Sequence, residues 1–169
     1  EGGSFFDAIV RQEPLDEERL NPADNTEEFE RVADDELDYY GALAEELCRT
    51  TDQALVCTFG GLTFGDIALV PAPFLKRPKG IRDLAEWYMS TVSLPEYIQA
   101  VFERQTEVAI ENLSRLLAAV GDRPTVIQTN GTDFGTQNGP FCSVAKFREL
   151  YLPYQQRVNG WIHRHTQWK

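Results

Sequence analysis

Thr125-Val-Ile-Gln-Thr-Asn-Gly-Thr-Asp-Phe-Gly-Thr-Gln-Asn-Gly-Pro-Phe-Cys-Ser143 is the stretch on which the reading of the fold turns. Its first five residues are a β-branched run of the kind that forms a buried strand. A loop dense in Gly, Asn and Thr follows, carrying one carboxylate, Asp133. Ser143 then stands where an N-cap is needed for the next helix. A strand, a polar glycine-bearing loop and a helix in that order are how α/β proteins place chemistry at the carboxyl end of a strand.

Working outward, Asp122-Arg-Pro is a turn into that strand, and Gly121 is the stop of a long helix before it. Ser93-Leu-Pro-Glu96 opens that helix, with Ser93 as the expected N-cap and an early proline. Ile98, Val101, Phe102, Ala109, Leu113 and Leu116 fall on one face of it. A shorter helix is expected around Ile81 to Met89, after a Gly- and Pro-marked loop reaching from about residue 60 to 79. Residues 54–59 form a near-continuous apolar run suited to a strand covered on both faces. Leu37, Tyr40, Ala44, Leu47 and Cys48 predict an amphipathic helix from an N-cap at Asp34 to about Arg49. Residues 1–33 read as an irregular lead-in with helical signals from Thr26. After Ser143 a final helix carries Phe147, Leu150, Tyr151, Val158, Trp161 and Ile162, with a kink or restart at Pro153.

Two apolar strands with no hairpin between them predict parallel pairing with helices outside. Two such strands do not complete a sheet covered on both faces. The fold expected is therefore α/β, a partial TIM-type (β/α)8 barrel of about two βα units over residues 34–169. At 169 residues the chain holds one domain rather than two. It opens on Glu1, carries its only methionine at Met89 and stops at Lys169 just past a helix, so it is expected to be an internal fragment of a longer protein.

The net charge of −11 argues against a nucleic-acid partner, which needs a basic face. No apolar run approaches the ~20 residues of a membrane helix. Mean hydropathy is −0.38, and a cytoplasmic setting is expected. Cys48, Cys57 and Cys142 are odd in number and far apart, which fits a reducing compartment better than a disulfide framework. The two glycosylation patterns, at Asn112 and Asn130, are discounted without a secretory signal.

Asp133 is the first catalytic candidate, because glycines around it let a ligand approach the backbone. Its structural alternative is a turn aspartate bonding its own backbone. Gln137 and Asn138 stand in the same loop as candidates to orient a polar substrate. Gly60 and Gly61, after Phe59 at the end of the first strand, offer backbone amides to an anion, although no dinucleotide fingerprint follows. Asp66 is a candidate second carboxylate from the neighbouring strand end. His163 and His165, two apart on a helix, face different ways and do not share a metal ion. Cys142 has no basic sequence neighbour to make it a nucleophile.

Gly131-Thr-Asp-Phe-Gly-Thr-Gln-Asn-Gly-Pro-Phe-Cys-Ser-Val-Ala-Lys-Phe-Arg-Glu-Leu-Tyr-Leu-Pro153 resembles the uroporphyrinogen decarboxylase superfamily, which includes corrinoid-linked methyltransferases acting on thiols such as coenzyme M. Shared features are an aspartate after a strand, a glycine-bearing loop and a Ser-Pro-x-x-Phe helix start, here Ser143 to Phe147 with Val144 replacing the proline. Cys57-Thr-Phe-Gly-Gly-Leu-Thr-Phe-Gly-Asp66 resembles an earlier strand and loop of that family. The resemblance implies a TIM-type barrel and a small-molecule site with Asp133 as the central polar group and Phe59, Gly60, Gly61, Asp66, Gln137 and Asn138 around the substrate. It implies cofactor-independent decarboxylation of a tetrapyrrole, or methyl transfer to a thiol with zinc and a corrinoid protein partner. A homodimer is compatible with either. The zinc ligands would follow Lys169, so no metal ligand is assigned in this chain, and the fragment is expected to be incomplete for catalysis. The decarboxylase arginine motif is matched only at Val10-Arg11-Gln12. A barrel hydrolase using Asp66 and Asp133 as an acid/base pair, and an inert truncated piece, are the alternatives.

Overall fold

A computed structural model describes residues 12–58 and 63–169. Five α-helices dominate: α1 (Asp34–Thr50), α2 (Leu84–Ser93), α3 (Pro95–Val120), α4 (Val144–Leu150) and α5 (Leu152–His165). Strands β1 (Val56–Thr58) and β2 (Val126–Gln128) pair in parallel, Val56 beside Val126. Strands β3 (Gly135–Thr136) and β4 (Gly139–Pro140) form a small antiparallel hairpin.

The long helix organises the core. Ile98, Val101, Phe102, Ala109, Leu113 and Leu116 recur at helical spacing and are all buried. They meet α1 on one flank and α5 on another, with α2 and the 3-10 turn Pro22–Thr26 closing the remainder. Gly41 lets α1 approach closely, since a Cβ there would stand 3.1 Å from the Ala119 carbonyl oxygen. Tyr154, Val158 and Ile162 are the buried face of α5. The Tyr154 hydroxyl donates to the Gln99 carbonyl at 3.1 Å. Gly121, with φ of 60°, ends α3, and the buried Trp168 donates its indole N–H to the Gly121 carbonyl at 3.1 Å.

The partial TIM-type barrel is overturned. Of the described residues 53% are helical and 6% are strand, in two sheets of two strands each. The physical reason lies in what α3 buries against: its apolar stripe is satisfied mainly by other helices, so the core is helix on helix. The parallel pair sits beside that core. Residues 54–59 were expected to be covered on both faces, yet Val56 is 64% exposed and Thr58 is exposed too. Only Ile127 of β2 is buried; its N–H donates to the Lys169 carbonyl, and the Lys169 N–H donates to the carbonyl of Thr125 just before the strand, both at 2.9 Å.

Two caps also differ from expectation. Ser93 closes α2, its hydroxyl donating back to the Met89 carbonyl at 3.2 Å, and the cap position of α3 falls to Leu94 with no side-chain bond. Ala33, with no side-chain oxygen to offer, occupies the cap of α1, and Asp34 is its first helical residue. Pro153 does mark a restart: α4 ends at Leu150, Tyr151 is the joint, and the proline lies in the first turn of α5.

The lead-in is fastened to the segment before α2 by buried polar groups. Asn25 donates to the Ile81 carbonyl and accepts from the Ile81 N–H, both at 2.7 Å. Arg82 is buried and forks onto Glu28 at 2.6 and 2.9 Å, while donating to the Asp24 and Lys79 carbonyls. Gln12 accepts from the backbone N–H groups of Arg82 and Asp83.

Candidate functional site

The loop after β2 is shaped by its own short polar side chains. Asn130 accepts from the Thr132 N–H at 2.8 Å, a local turn that delivers Asp133 to the surface. Phe134 fixes the next step, standing edge-on to Phe147 and Tyr151 with both ring centroids at 5.1 Å. The β3–β4 hairpin then turns back through Gln137 and Asn138. Gly135 is needed there, because a Cβ would lie 3.0 Å from the Gly139 carbonyl oxygen. Ser143 caps α4 as its sequence position predicts, accepting from the Lys146 N–H at 3.1 Å.

A second loop approaches from the other side. Asp66 accepts from the Ala68 N–H at 2.6 Å through its carboxylate and from Leu69 and Val70 through its carbonyl. It is 4% exposed. Gly65 before it has φ of 62°, and a Cβ there would come within 3.0 Å of the Trp87 indole nitrogen and 3.2 Å of the Tyr151 hydroxyl. The two loops meet where Gly131 faces the Thr63 methyl group.

Electrostatics tie the loops together. Burial pushes the Asp66 carboxyl above the ordinary range, the Ala68 N–H pulls it back part of the way, and the charge of Asp133 raises it further. Tyr88 is pushed up to about 12, by burial first and then by Asp66, Cys142 and Asp133. Burial also raises the Tyr151 hydroxyl and the Cys142 thiol, and Lys146 partly offsets the latter. Tyr88 is held by stacking on Phe141, ring centroids 5.0 Å apart. The resulting group, Asp66, Tyr88, Asp133, Cys142 and Tyr151, sets a buried carboxyl and an exposed carboxylate among weakly acidic hydroxyl and thiol groups.

Sequence reasoning singled out both aspartates but not the tyrosines. Tyr88 and Tyr151 read as members of apolar helix faces, and nothing in their spacing marks them as site residues. Gln137 and Asn138 lie exposed at the hairpin turn, where the Asn138 N–H donates to the Thr136 hydroxyl at 3.1 Å. Phe59, Gly60 and Gly61, with Val10 and Arg11, lie outside the described residues. His163 and His165 are exposed at the end of α5, and His165 stacks on Trp161 with centroids 4.6 Å apart. Among the described residues no group of three or more His, Cys, Asp or Glu is arranged to hold a metal ion. No described helix is long and apolar enough to cross a membrane.

Beside Asp66 lies a small cleft bounded also by Thr63, Arg82, Trp87 and Gln105. Another lies between the end of β2 and α5, and its lining of Thr129, Asn130, Gln155, Val158 and Asn159 has no ionisable side chain. Compared with protein-family models, with characterised proteins and with solved structures, the chain gives no match.

Proposed function

We propose that the chain carries part of the site of a uroporphyrinogen decarboxylase-superfamily enzyme, with Asp133 as its central polar group. The observation that carries this reading is the meeting of Asp133 and Asp66 from separate loops in unlike surroundings. Asp133 is exposed and free to face a cation-bearing substrate, whereas Asp66 is buried and inclined to keep its proton. A buried carboxyl whose pKa is raised, beside an exposed one, divides the tasks of proton donor and charge stabiliser.

In the decarboxylation branch, a proton added to a pyrrole ring carbon creates the cationic intermediate. The bond to the departing carboxylate breaks as CO2 leaves, and its electron pair neutralises that cation, the added ring proton being lost afterwards. A proton must then reach the carbon that lost CO2. Asp133 would stabilise the cationic intermediate, Gln137 would assist in holding the substrate, and Asp66 would supply the proton. The methyl-transfer branch brings zinc, which lowers the pKa of the acceptor thiol, and a corrinoid donor. The described residues do not form a site for that zinc, so no step is assigned to it.

The same pair of carboxyls also supports a hydrolase, in which Asp66 would protonate the leaving group and Asp133 would activate water. Activity separates these readings. Asp133→Asn in the intact protein should abolish CO2 release from uroporphyrinogen, or methylation of a thiol by methylcobalamin, and leave thermal melting unchanged. Turnover that survives the substitution removes Asp133 from the site. Activity confined to glycosides selects the hydrolase.

A further inference from the structure

Three buried polar atoms, on residues that line one cleft, have no hydrogen-bond partner among the described residues. They are the Gln105 side-chain carbonyl oxygen, the Thr63 hydroxyl and the Trp87 indole nitrogen. Gln105 is 4% exposed and Trp87 2%, so bulk water does not serve them. Trp87 lies near enough to the Tyr151 hydroxyl to offset a little of its raised pKa, but it does not reach hydrogen-bond geometry with it. Leaving such a group unpaired in the interior is costly, so three along one cleft call for a common partner.

The chemistry of the three groups is complementary. The indole N–H only donates, the amide oxygen only accepts, and the hydroxyl does either. A molecule that accepts one bond and donates two satisfies all three, and water does so. The chamber gives the centre of a water molecule about 20 Å³ to occupy, above the roughly 10–15 Å³ that one water needs. Asp66 borders the same space, as do Arg82 and Glu28 from the buried ion pair.

We propose that this chamber is a built site for an ordered water molecule, held by Gln105, Thr63 and Trp87 beside Asp66, and that this water is the interior hydrogen-bonding contact of the Asp66 carboxyl. The site spans three parts of the chain: the loop of Thr63 and Asp66, Trp87 on α2 and Gln105 on α3. The bound water therefore couples the position of Asp66 to the helical core. Gln105 acts here as a positioning residue. The inference stands whichever reaction the aspartates serve.

The test is nuclear magnetic resonance on the whole chain. A long-lived water should give a cross-peak between the water resonance and the Trp87 indole proton in the unsubstituted protein. Gln105→Leu, close in size but without the acceptor, should remove that cross-peak. It should also move the Asp66 titration midpoint upward, since the carboxylate loses a polar neighbour. The charge that Asp66 senses from Asp133, the neutral Tyr88 hydroxyl, and the Arg82 and Glu28 groups that line the same cleft are retained in this variant. Gln105→Glu, which keeps an acceptor oxygen, should keep the cross-peak. Absence of the cross-peak in the unsubstituted protein overturns the proposal even where the variants fail to fold. So does a cross-peak that Gln105→Leu leaves intact, or an Asp66 midpoint that does not move.

Discussion

Asp133, exposed on the loop after β2, lies close enough to the buried Asp66 for its charge to add to the rise that burial gives the Asp66 carboxyl pKa. The two residues come from opposite halves of the chain, and their environments differ as much as their positions do.

That relationship has a consequence for stability. A carboxyl whose native pKa lies above its unfolded value of 3.8 binds an extra proton in the folded state. Its contribution is complete below the unfolded value and is lost as pH rises through the native one. Stability attributable to Asp66 should therefore decline from about pH 4 upward and then level off. Asp66→Asn should flatten that decline. Urea unfolding at one-unit pH intervals, on both proteins, measures it, and parallel profiles would refute the assignment.

Asn25 and Ile81 exchange two short hydrogen bonds in the interior, and Ile81 is 0% exposed. Asn25→Ala strands the Ile81 N–H and carbonyl without water. The expected loss is about 2–4 kcal/mol in chemical denaturation. A change below 0.5 kcal/mol, well under the roughly 1 kcal/mol net worth of even one such bond, would mean that the lead-in is not fastened here.

Arg82 and Glu28 form a two-pronged ion pair with the guanidinium buried. Arg82→Met leaves the Glu28 carboxylate without its partner, at a cost of about 3–5 kcal/mol. Adding Glu28→Leu should recover part of that loss, because the pair is then replaced rather than broken. A double-mutant cycle with no coupling would contradict the geometry.

Ser143 holds the first turn of α4 through the Lys146 N–H. Ser143→Ala should cost about 1 kcal/mol. Because Phe134 packs on Phe147 of the same helix, the loop carrying Asp133 should loosen with it. Amide exchange at residues 130–135 should accelerate in the variant, with exchange in α3 unchanged.

Much of this protein is local and was legible from its residues. The apolar periodicity of α1, α3 and α5, the extended runs at 56–58 and 126–128, the stop at Gly121 and the cap at Ser143 each depend on neighbours within a turn or two of chain. Asp66 and Asp133 stood out because a carboxylate beside glycines is visible in one dimension. Packing decided the rest. Whether α3 buries its stripe on strands or on helices depends on partners distant in sequence, and the helices prevailed. Tyr88 and Tyr151 join the site only because α2 and the joint between α4 and α5 bring them there. Arg82 is buried only because Glu28 and three carbonyls, of Asp24, Val70 and Lys79, converge on it. Periodicity tells which face of a helix is apolar; the partner of that face, and the polar groups trapped beside it, follow from closing the tertiary structure around them.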